Sequence, residues 1–180
     1  IVESLYYHPG IRWHIRRIYV LNPIEFTTIR RNEVKSKILG GTAMRIAQGK
    51  EDEPYLVTTK QIVQRASMVL TNVHYVIEAE FEMLPEKAAS GDNPGKFQDI
   101  VTRRMRKGQC FSTPYFGCRE FPAHFKQWEG GPIPTIDETR DLGFMLYDFD
   151  YSDPQNITPL YFRAKMEHGV IQVAGCEVFR

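Results

Sequence analysis

The segment that most restricts the fold of this chain is residues 69–83, VLTNVHYVIEAEFEM, in which apolar and polar side chains alternate. A period of two is typical of a β-strand with one buried face. The alternation predicts a single strand, with His74 as a surface side chain on the face that carries the glutamates. The apolar face comprises Val73, Tyr75, Ile77, Ala79, Phe81 and Met83.

The N-terminal part predicts a short helix followed by two strands. Residues 1–7 place apolar side chains on one helical face, and Pro9 with Gly10 ends the helix, so that Tyr6 lies in its last turn. Residues 11–29 are rich in β-branched and aromatic residues and contain an Asn-Pro break. They therefore predict a strand, a break and a second strand.

Three further local predictions concern the residues around and after this pair of strands. Arg16 and Arg17 are adjacent in the first strand, which places them on opposite faces. Residues 40–55 have no lasting periodicity and predict a loop. Residues 59–68 predict a short helix capped by a threonine.

A turn-rich stretch at residues 84–95 leads into an amphipathic helix at residues 97–106. Phe97 belongs to its inward apolar stripe, Lys96 stands at its start, and Gly108 ends it. The opposite face is basic, which favours contact with phosphate groups as well as with the helix dipole. The basic side chains at this end are Arg103, Arg104, Arg106 and Lys107.

The C-terminal part predicts a small antiparallel sheet of three strands, at residues 142–149, 160–166 and 170–173. The sequence GGPIP separates this part from an aromatic, irregular stretch. We therefore predict two domains, residues 1–129 and residues 130–180.

The charge distribution indicates a polyanion as the partner. The net charge is only +1, yet residues 12–37 hold seven basic and two acidic side chains, and residues 96–107 hold five basic and one acidic. Residues 127–180 reverse the balance, with nine acidic and four basic side chains. Such a chain has one side suited to nucleic acid and another that avoids it.

The sequence excludes several common chemistries. It contains no phosphate loop, no dinucleotide fingerprint and no cluster with metal-ligand spacing, and its three cysteines form no close pair. No cofactor or metal is therefore expected. The sequence contains neither a membrane-spanning apolar run nor a signal peptide, so we expect a cytoplasmic protein without membrane contact. Tyrosine, lysine and arginine beside basic blocks suit metal-free RNA cleavage by the 2′-hydroxyl.

Five segments carry a resemblance to a known family. They read IVESLYYHPGIRWHIRRIYVLNPI, FTTIRRNEV, GKFQDIVTRRMRKGQCFSTPYFGCREFPA, RDLGFMLYDFDY and AKMEHGVI. Together they resemble the CRISPR-associated Cas family five of subtype I-C, in the repeat-associated RNA-binding superfamily. The resemblance spans nearly the whole chain.

The resemblance implies an α+β fold, with a ferredoxin-like (RRM-type) domain followed by a small C-terminal antiparallel β-sheet domain. It also implies a strand before Tyr6 that this sequence lacks. The implied activity is metal-independent cleavage of precursor CRISPR RNA within the repeat. The implied partners are the repeat hairpin, the 5′ handle of the CRISPR RNA and the other subunits of a type I-C interference complex.

The family pattern places a catalytic tyrosine at Tyr6 and a Lys-His pair at Lys96 and Phe97. Because phenylalanine cannot transfer a proton, the second role is lost or passes to water or to another histidine such as His8. Two alternatives stay open, namely a scaffold subunit that binds the handle without cutting and a module that binds double-stranded DNA. The residues expected to bind RNA are Arg30, Arg31, Arg103, Arg104, Arg106 and Lys107.

Overall fold

The computed structural model of the chain describes residues 1–37, 39–50 and 57–180. The helices are α1 (Val2–Leu5), α2 (Gly40–Ala47), α3 (Thr58–Gln61) and α4 (Pro94–Arg106), with a short 3-10 helix at Pro85–Lys87. The strands are β1 (Ile11–Val20), β2 (Glu25–Val34), β3 (Ile62–Thr71), β4 (Tyr75–Met83), β5 (Arg140–Asp150), β6 (Thr158–Glu167), β7 (Val170–Gln172) and β8 (Val178–Phe179).

The chain forms two compact units. The sheet unit comprises Ile1–Pro23 and His74–Arg180, and the hairpin unit comprises Ile24–Val73. The Asn-Pro break predicted between the first two strands therefore falls at the end of the first segment of the sheet unit.

The sheet unit is built on one antiparallel sheet in the order β4-β1-β7-β6-β5, with β8 paired to β6. All of its strand pairs are antiparallel. The prediction of an α+β fold with antiparallel sheet is confirmed, as are the three predicted C-terminal strands. The domain boundary at residue 130 stays a prediction, although β7 hydrogen-bonds to β1 and so joins the C-terminal strands to the sheet that holds β4.

One hydrophobic cluster of this unit packs α1 and α4 against the sheet. Its buried members are Tyr6, Ile11, Phe97 and Val101, with Phe97 fully buried. Partly buried side chains of β1, β4 and α4 complete it, namely Trp13, Phe81, Met83, Ile100 and Met105. The apolar stripe predicted for α4 is therefore confirmed as its inward face.

The hairpin unit consists of β2 and β3 in continuous antiparallel register, together with α2 and α3. Three predictions are wrong here. Helix α2 lies where residues 40–47 were predicted as loop, and β3 lies where residues 62–68 were predicted as helix. The predicted strand at residues 69–83 is interrupted between β3 and β4, because Asn72 adopts a left-handed conformation with φ of 49°. Residues 51–55 of the predicted loop lie outside the described residues.

The opposite-face prediction for Arg16 and Arg17 is also wrong. The register between β1 and β4 shifts at Arg16, which is a β-bulge. Arg16 and Arg17 consequently both reach glutamates of β4, pairing with Glu80 at 3.1 Å and Glu78 at 3.4 Å. These two arginines of the first basic block are therefore paired with glutamates of their own sheet.

Candidate functional site

Tyr6 is fixed where α1 ends. Its backbone is extended, and its carbonyl accepts a hydrogen bond of 2.9 Å from the Trp13 indole N–H. The N–H of Phe111 donates to the carbonyl of Ser4 at 2.8 Å and so ties the aromatic loop to α1. Only 7% of Tyr6 is exposed, which places its ring in the hydrophobic cluster.

Lys96 is positioned by the first turn of α4. Asn93 caps this helix, and its side-chain oxygen accepts from the Lys96 N–H at 2.9 Å. The ammonium of Lys96 donates to Oδ1 of Asp92 at 2.7 Å. Sequence reasoning overlooked Asp92, although an acidic residue four positions before a lysine is a recognisable pairing pattern.

Phe97 connects the two predicted catalytic residues. The centre of its ring lies 6.1 Å from that of Tyr6, and the Lys96 ammonium lies 5.9 Å from the Phe97 ring centre. Tyr6 and Lys96 therefore share Phe97 as a neighbour, and Tyr6 also reaches Arg104 in the last turn of α4. Phe97 is fully buried, so the position where the family pattern has histidine is here a core position.

His8 lies against the same group. Its ring centre is 4.8 Å from that of Phe97, and its Nδ1 accepts the N–H of Gly10 at 3.0 Å. This hydrogen bond leaves the ring proton on Nε2, which lies 3.9 Å from Oδ2 of Asp92. His8 is therefore placed as a donor toward Asp92, with its accepting nitrogen already occupied.

The charges of the cluster follow from its surroundings. Burial raises the pKa of Tyr6, while Arg104 and Lys96 partly oppose that shift. The hydrogen bond and charge of Asp92 raise the pKa of Lys96, and the Lys96 hydrogen bond lowers the pKa of Asp92. At neutral pH the site holds a neutral phenol, an ammonium and a carboxylate.

The residues expected to bind RNA occupy different places. Arg104 is turned toward the site, with its guanidinium carbon 5.2 Å from the Tyr6 ring centre. Arg103, Arg106 and Lys107 are exposed near the end of α4. Arg30 and Arg31 lie on β2 of the hairpin unit, opposite Ala66 and Arg65 of β3.

Among the described residues, no group of three or more His, Cys, Asp or Glu side chains could hold a metal ion. No helix in residues 1–37, 39–50 or 57–180 is long and apolar enough to cross a membrane.

The fold is similar to that of two proteins of known structure. A crystal structure described as a CRISPR-associated protein covers 100% of this chain with a TM-score of 0.60 at 21% identity, and this chain covers 80% of that protein. The functionally uncharacterised protein SMU1763c from Streptococcus mutans gives a TM-score of 0.65 at 20% identity, with coverage of 100% and 81%. These similarities establish the class of fold.

The sequence identifies the family within that class. The family model described as CRISPR-associated protein (Cas_Cas5) matches residues 3–174, so the chain belongs to the Cas5d family. The CRISPR pre-crRNA endoribonuclease Cas5d of Mannheimia succiniciproducens is 39% identical over 180 residues, which cover 96% of this chain and 79% of the relative. The protein of the same name from Thermus thermophilus is 30% identical, with coverage of 96% and 76%.

Proposed function

We propose that this chain is a metal-independent endoribonuclease that cuts precursor CRISPR RNA within the repeat. The relatives at 39% and 30% identity are both named CRISPR pre-crRNA endoribonucleases. The observation that supports the proposal is that both groups lie near Phe97, with the Tyr6 ring centre 6.1 Å and the Lys96 ammonium 5.9 Å from the centre of its ring. A phenol and an ammonium that share a neighbour in this way are suited to act on one phosphodiester.

The reaction is an attack of the RNA 2′-hydroxyl on the adjacent phosphorus. A P–O2′ bond forms and the P–O5′ bond breaks, which leaves a 2′,3′-cyclic phosphate and a free 5′-hydroxyl; the 2′-hydroxyl proton is lost and the 5′-oxygen gains one. Lys96 stabilises the additional negative charge on the phosphorane, for which a fixed cation is well suited.

Tyr6 acts as a hydrogen-bond donor and proton relay. A phenol with a raised pKa keeps its proton at neutral pH, so Tyr6 donates a hydrogen bond and does not act as the base. Since Phe97 transfers no proton, water takes the proton of the 2′-hydroxyl. General acid and base groups each contribute roughly 10²- to 10⁴-fold in rate, so slow cleavage is expected.

After cleavage the protein stays on the 5′ handle as a subunit of a type I-C interference complex. The exposed cations of α4 and the arginines of β2 hold the RNA backbone, and Arg104 acts through Tyr6. The residues that hold the RNA backbone are Arg30, Arg31, Arg103, Arg106 and Lys107. Recognition of the repeat hairpin rests on its shape and flanking single strands.

The proposal is tested by incubating the protein with its own repeat RNA in excess chelator. We expect a product that ends in a 2′,3′-cyclic phosphate, and its loss in Tyr6→Phe and Lys96→Ala. Tyr7→Phe is the matched control, because Tyr7 is the neighbouring tyrosine and is 54% exposed. No cyclic phosphate at any enzyme excess refutes the catalytic proposal.

A second candidate is a scaffold subunit that binds the handle without cutting it. The full burial of Phe97 favours this candidate, because the family's histidine position holds a core side chain. Repeat RNA bound tightly and recovered intact identifies the scaffold. Double-stranded DNA of equal length serves as a competitor, and DNA that displaces the RNA indicates a general duplex-binding module.

A further inference from the structure

The carboxylate of Asp92 lies at the centre of the cations and donors of the candidate site. Its side chain is only 1% exposed, although it belongs to a surface turn before α4. Oδ1 accepts from the Lys96 ammonium at 2.7 Å, and Oδ2 accepts from the Ala89 N–H at 2.8 Å. A covered carboxylate with this many partners is rare on a protein surface.

The turn alone accounts for only part of this arrangement. The hydrogen bond from Ala89 closes the turn and requires one oxygen atom of Asp92. The second oxygen is left to bind Lys96, whose side chain is 49% exposed and would otherwise sample many rotamers. Asp92 therefore restricts the rotamers of the Lys96 side chain, which the backbone of α4 alone leaves free.

His8 faces the same carboxylate from the end of α1. Its ring is held by the Gly10 N–H and by stacking near Tyr6, with ring centres 6.4 Å apart and planes 13° from parallel. Nε2 is directed toward Oδ2 of Asp92 at 3.9 Å, longer than a hydrogen bond. Asp92 thus lies between a group from α4 and a group from the α1 end.

We propose that Asp92 is the positioning residue of the site, holding the Lys96 ammonium where the RNA phosphate binds. This inference rests on the proposed function and deepens it. The incoming phosphate meets an ammonium already oriented by Asp92, so little side-chain entropy is lost on binding. Asp92 itself touches no reacting atom.

The electrostatic surroundings of Lys96 make the proposal measurable. The charges that act on its ammonium are Asp92 from the preceding turn and Tyr6 from the end of α1, while Arg104 and His8 act on those two groups. Asp92 is the larger influence and raises the Lys96 pKa. Asp92→Asn keeps an acceptor for Ala89 and removes the charge, so the Lys96 pKa should fall.

The first measurement is an NMR titration of lysine labelled at Cε, in the wild type, in Asp92→Asn and in Asp99→Asn. Asp99 is an exposed carboxylate of α4, so its substitution removes an equal charge from the helix that carries Lys96. We expect the Lys96 signal to titrate at lower pH in Asp92→Asn only. Repeat RNA with a 2′-deoxy nucleotide at the cleavage point should shift this signal in the wild type, and less in Asp92→Asn.

The second measurement separates binding from cleavage. We expect the affinity of Asp92→Asn for repeat RNA to stay within about twofold of the wild type. The variant loses the orientation of Lys96, but it also loses a negative charge beside the phosphate, and the two effects oppose each other. Its single-turnover cleavage should fall roughly tenfold or more, since misplacing a catalytic group is costly. Equal Lys96 titration and equal RNA response in Asp92→Asn and Asp99→Asn overturn the inference.

Failure of the proposed function gives a different pattern. If wild-type protein cleaves no RNA, the nuclease proposal fails, while the Lys96 titration and its response to the 2′-deoxy RNA still decide the role of Asp92. If the wild type cleaves and Asp92→Asn cleaves at the same rate, the nuclease proposal stands and Asp92 serves only the turn.

Discussion

The guanidinium carbon of Arg104 lies 5.2 Å from the centre of the Tyr6 ring, within the range of a cation–π interaction. Arg104 stands one position beyond Arg103 on α4, yet it is partly buried whereas Arg103 is exposed. The arginines of α4 therefore differ in their surroundings. Arg104 contacts the site residue Tyr6, whereas Arg103 and Arg106 are exposed to solvent.

Replacing Arg104 with methionine should affect both stability and the Tyr6 phenol. We expect a decrease of about 1 kcal/mol in the free energy of unfolding, the ordinary size of a cation–π interaction. The pKa of Tyr6 should rise further, because Arg104 is one of the two cations that lower it. Urea unfolding and NMR titration of ring-labelled tyrosine measure these effects. Arg103→Met is the control, and equal effects in both variants contradict the prediction.

Burial of tyrosine rings also predicts how stability depends on alkaline pH. Burial raises the pKa of Tyr6 and of Tyr75 in the folded chain above the unfolded value of about 10. The resulting stability is complete below about pH 10 and is lost as the pH rises through the higher folded values. We expect Tyr6→Phe and Tyr75→Phe to lessen the fall in unfolding free energy between about pH 9 and 11. Urea unfolding at several pH values measures this fall.

Phe97→His tests whether the site lacks only its histidine. The substitution should raise cleavage roughly 10²- to 10⁴-fold if Tyr6 and Lys96 are otherwise in place. It should also destabilise the fold by about 1 to 3 kcal/mol, because Phe97 is fully buried and an imidazole there needs a hydrogen-bond partner. Phe97→Leu is the control for weakened packing, and we expect it to reduce stability without any rise in cleavage. A folded Phe97→His variant that cleaves no faster supports the scaffold candidate.

The alternating pattern and the helix signals predicted much of the sheet unit. Strand β4 and helix α4 with its apolar stripe follow from periodicity, because each turns one face inward. The three C-terminal strands follow from short β-favouring runs between turn residues. The break at Asn72 escaped prediction because the alternation continues through it, although asparagine is one of the few residues that adopt a left-handed conformation. Sheets formed by distant segments, such as β1 with β7, have no local signal at all.

Sequence patterns predicted where Tyr6 and Lys96 lie on their helices, but not which side chains they contact. Tyr6 could be placed at a helix end and Lys96 at a helix start, because proline, glycine and asparagine mark those ends. The bulge at Arg16 could not be predicted, and it is the reason that the opposite-face expectation for Arg16 and Arg17 fails. The burial of Phe97 depends on the packing of α1 and α4 against the sheet, and that of Asp92 on the turn before α4; a single sequence displays neither.

The salt dependence of RNA binding should separate the exposed cations from the paired ones. Removing a cation that binds a phosphate lowers the slope of log affinity against log salt by about 1. We expect this change for Arg103→Ala, Arg106→Ala and Lys107→Ala, measured by fluorescence anisotropy with uncleavable repeat RNA. Arg16→Ala removes the same charge from a residue bound to Glu80 and should leave the slope unchanged. Equal slopes for all four variants and the wild type exclude this face of α4 from the RNA interface.

A final prediction concerns the turn between β6 and β7, which joins the C-terminal strands to β1. Gly169 accepts from the Val20 N–H at 2.8 Å and has φ of +74°, and a Cβ there would lie 2.5 Å from the carbonyl oxygen of Ile136. Gly175 also has φ of +74°, but nothing lies within 4 Å of its Cβ position. Gly175→Ala should therefore cost about 1 to 2 kcal/mol for the left-handed backbone alone. Gly169→Ala should cost about 1 to 3 kcal/mol more, since a backbone segment must also move. Thermal and urea unfolding measure both variants. Equal destabilisation would contradict the prediction, because it would show that the backbone at Ile136 moves away from the added Cβ with no loss of stability.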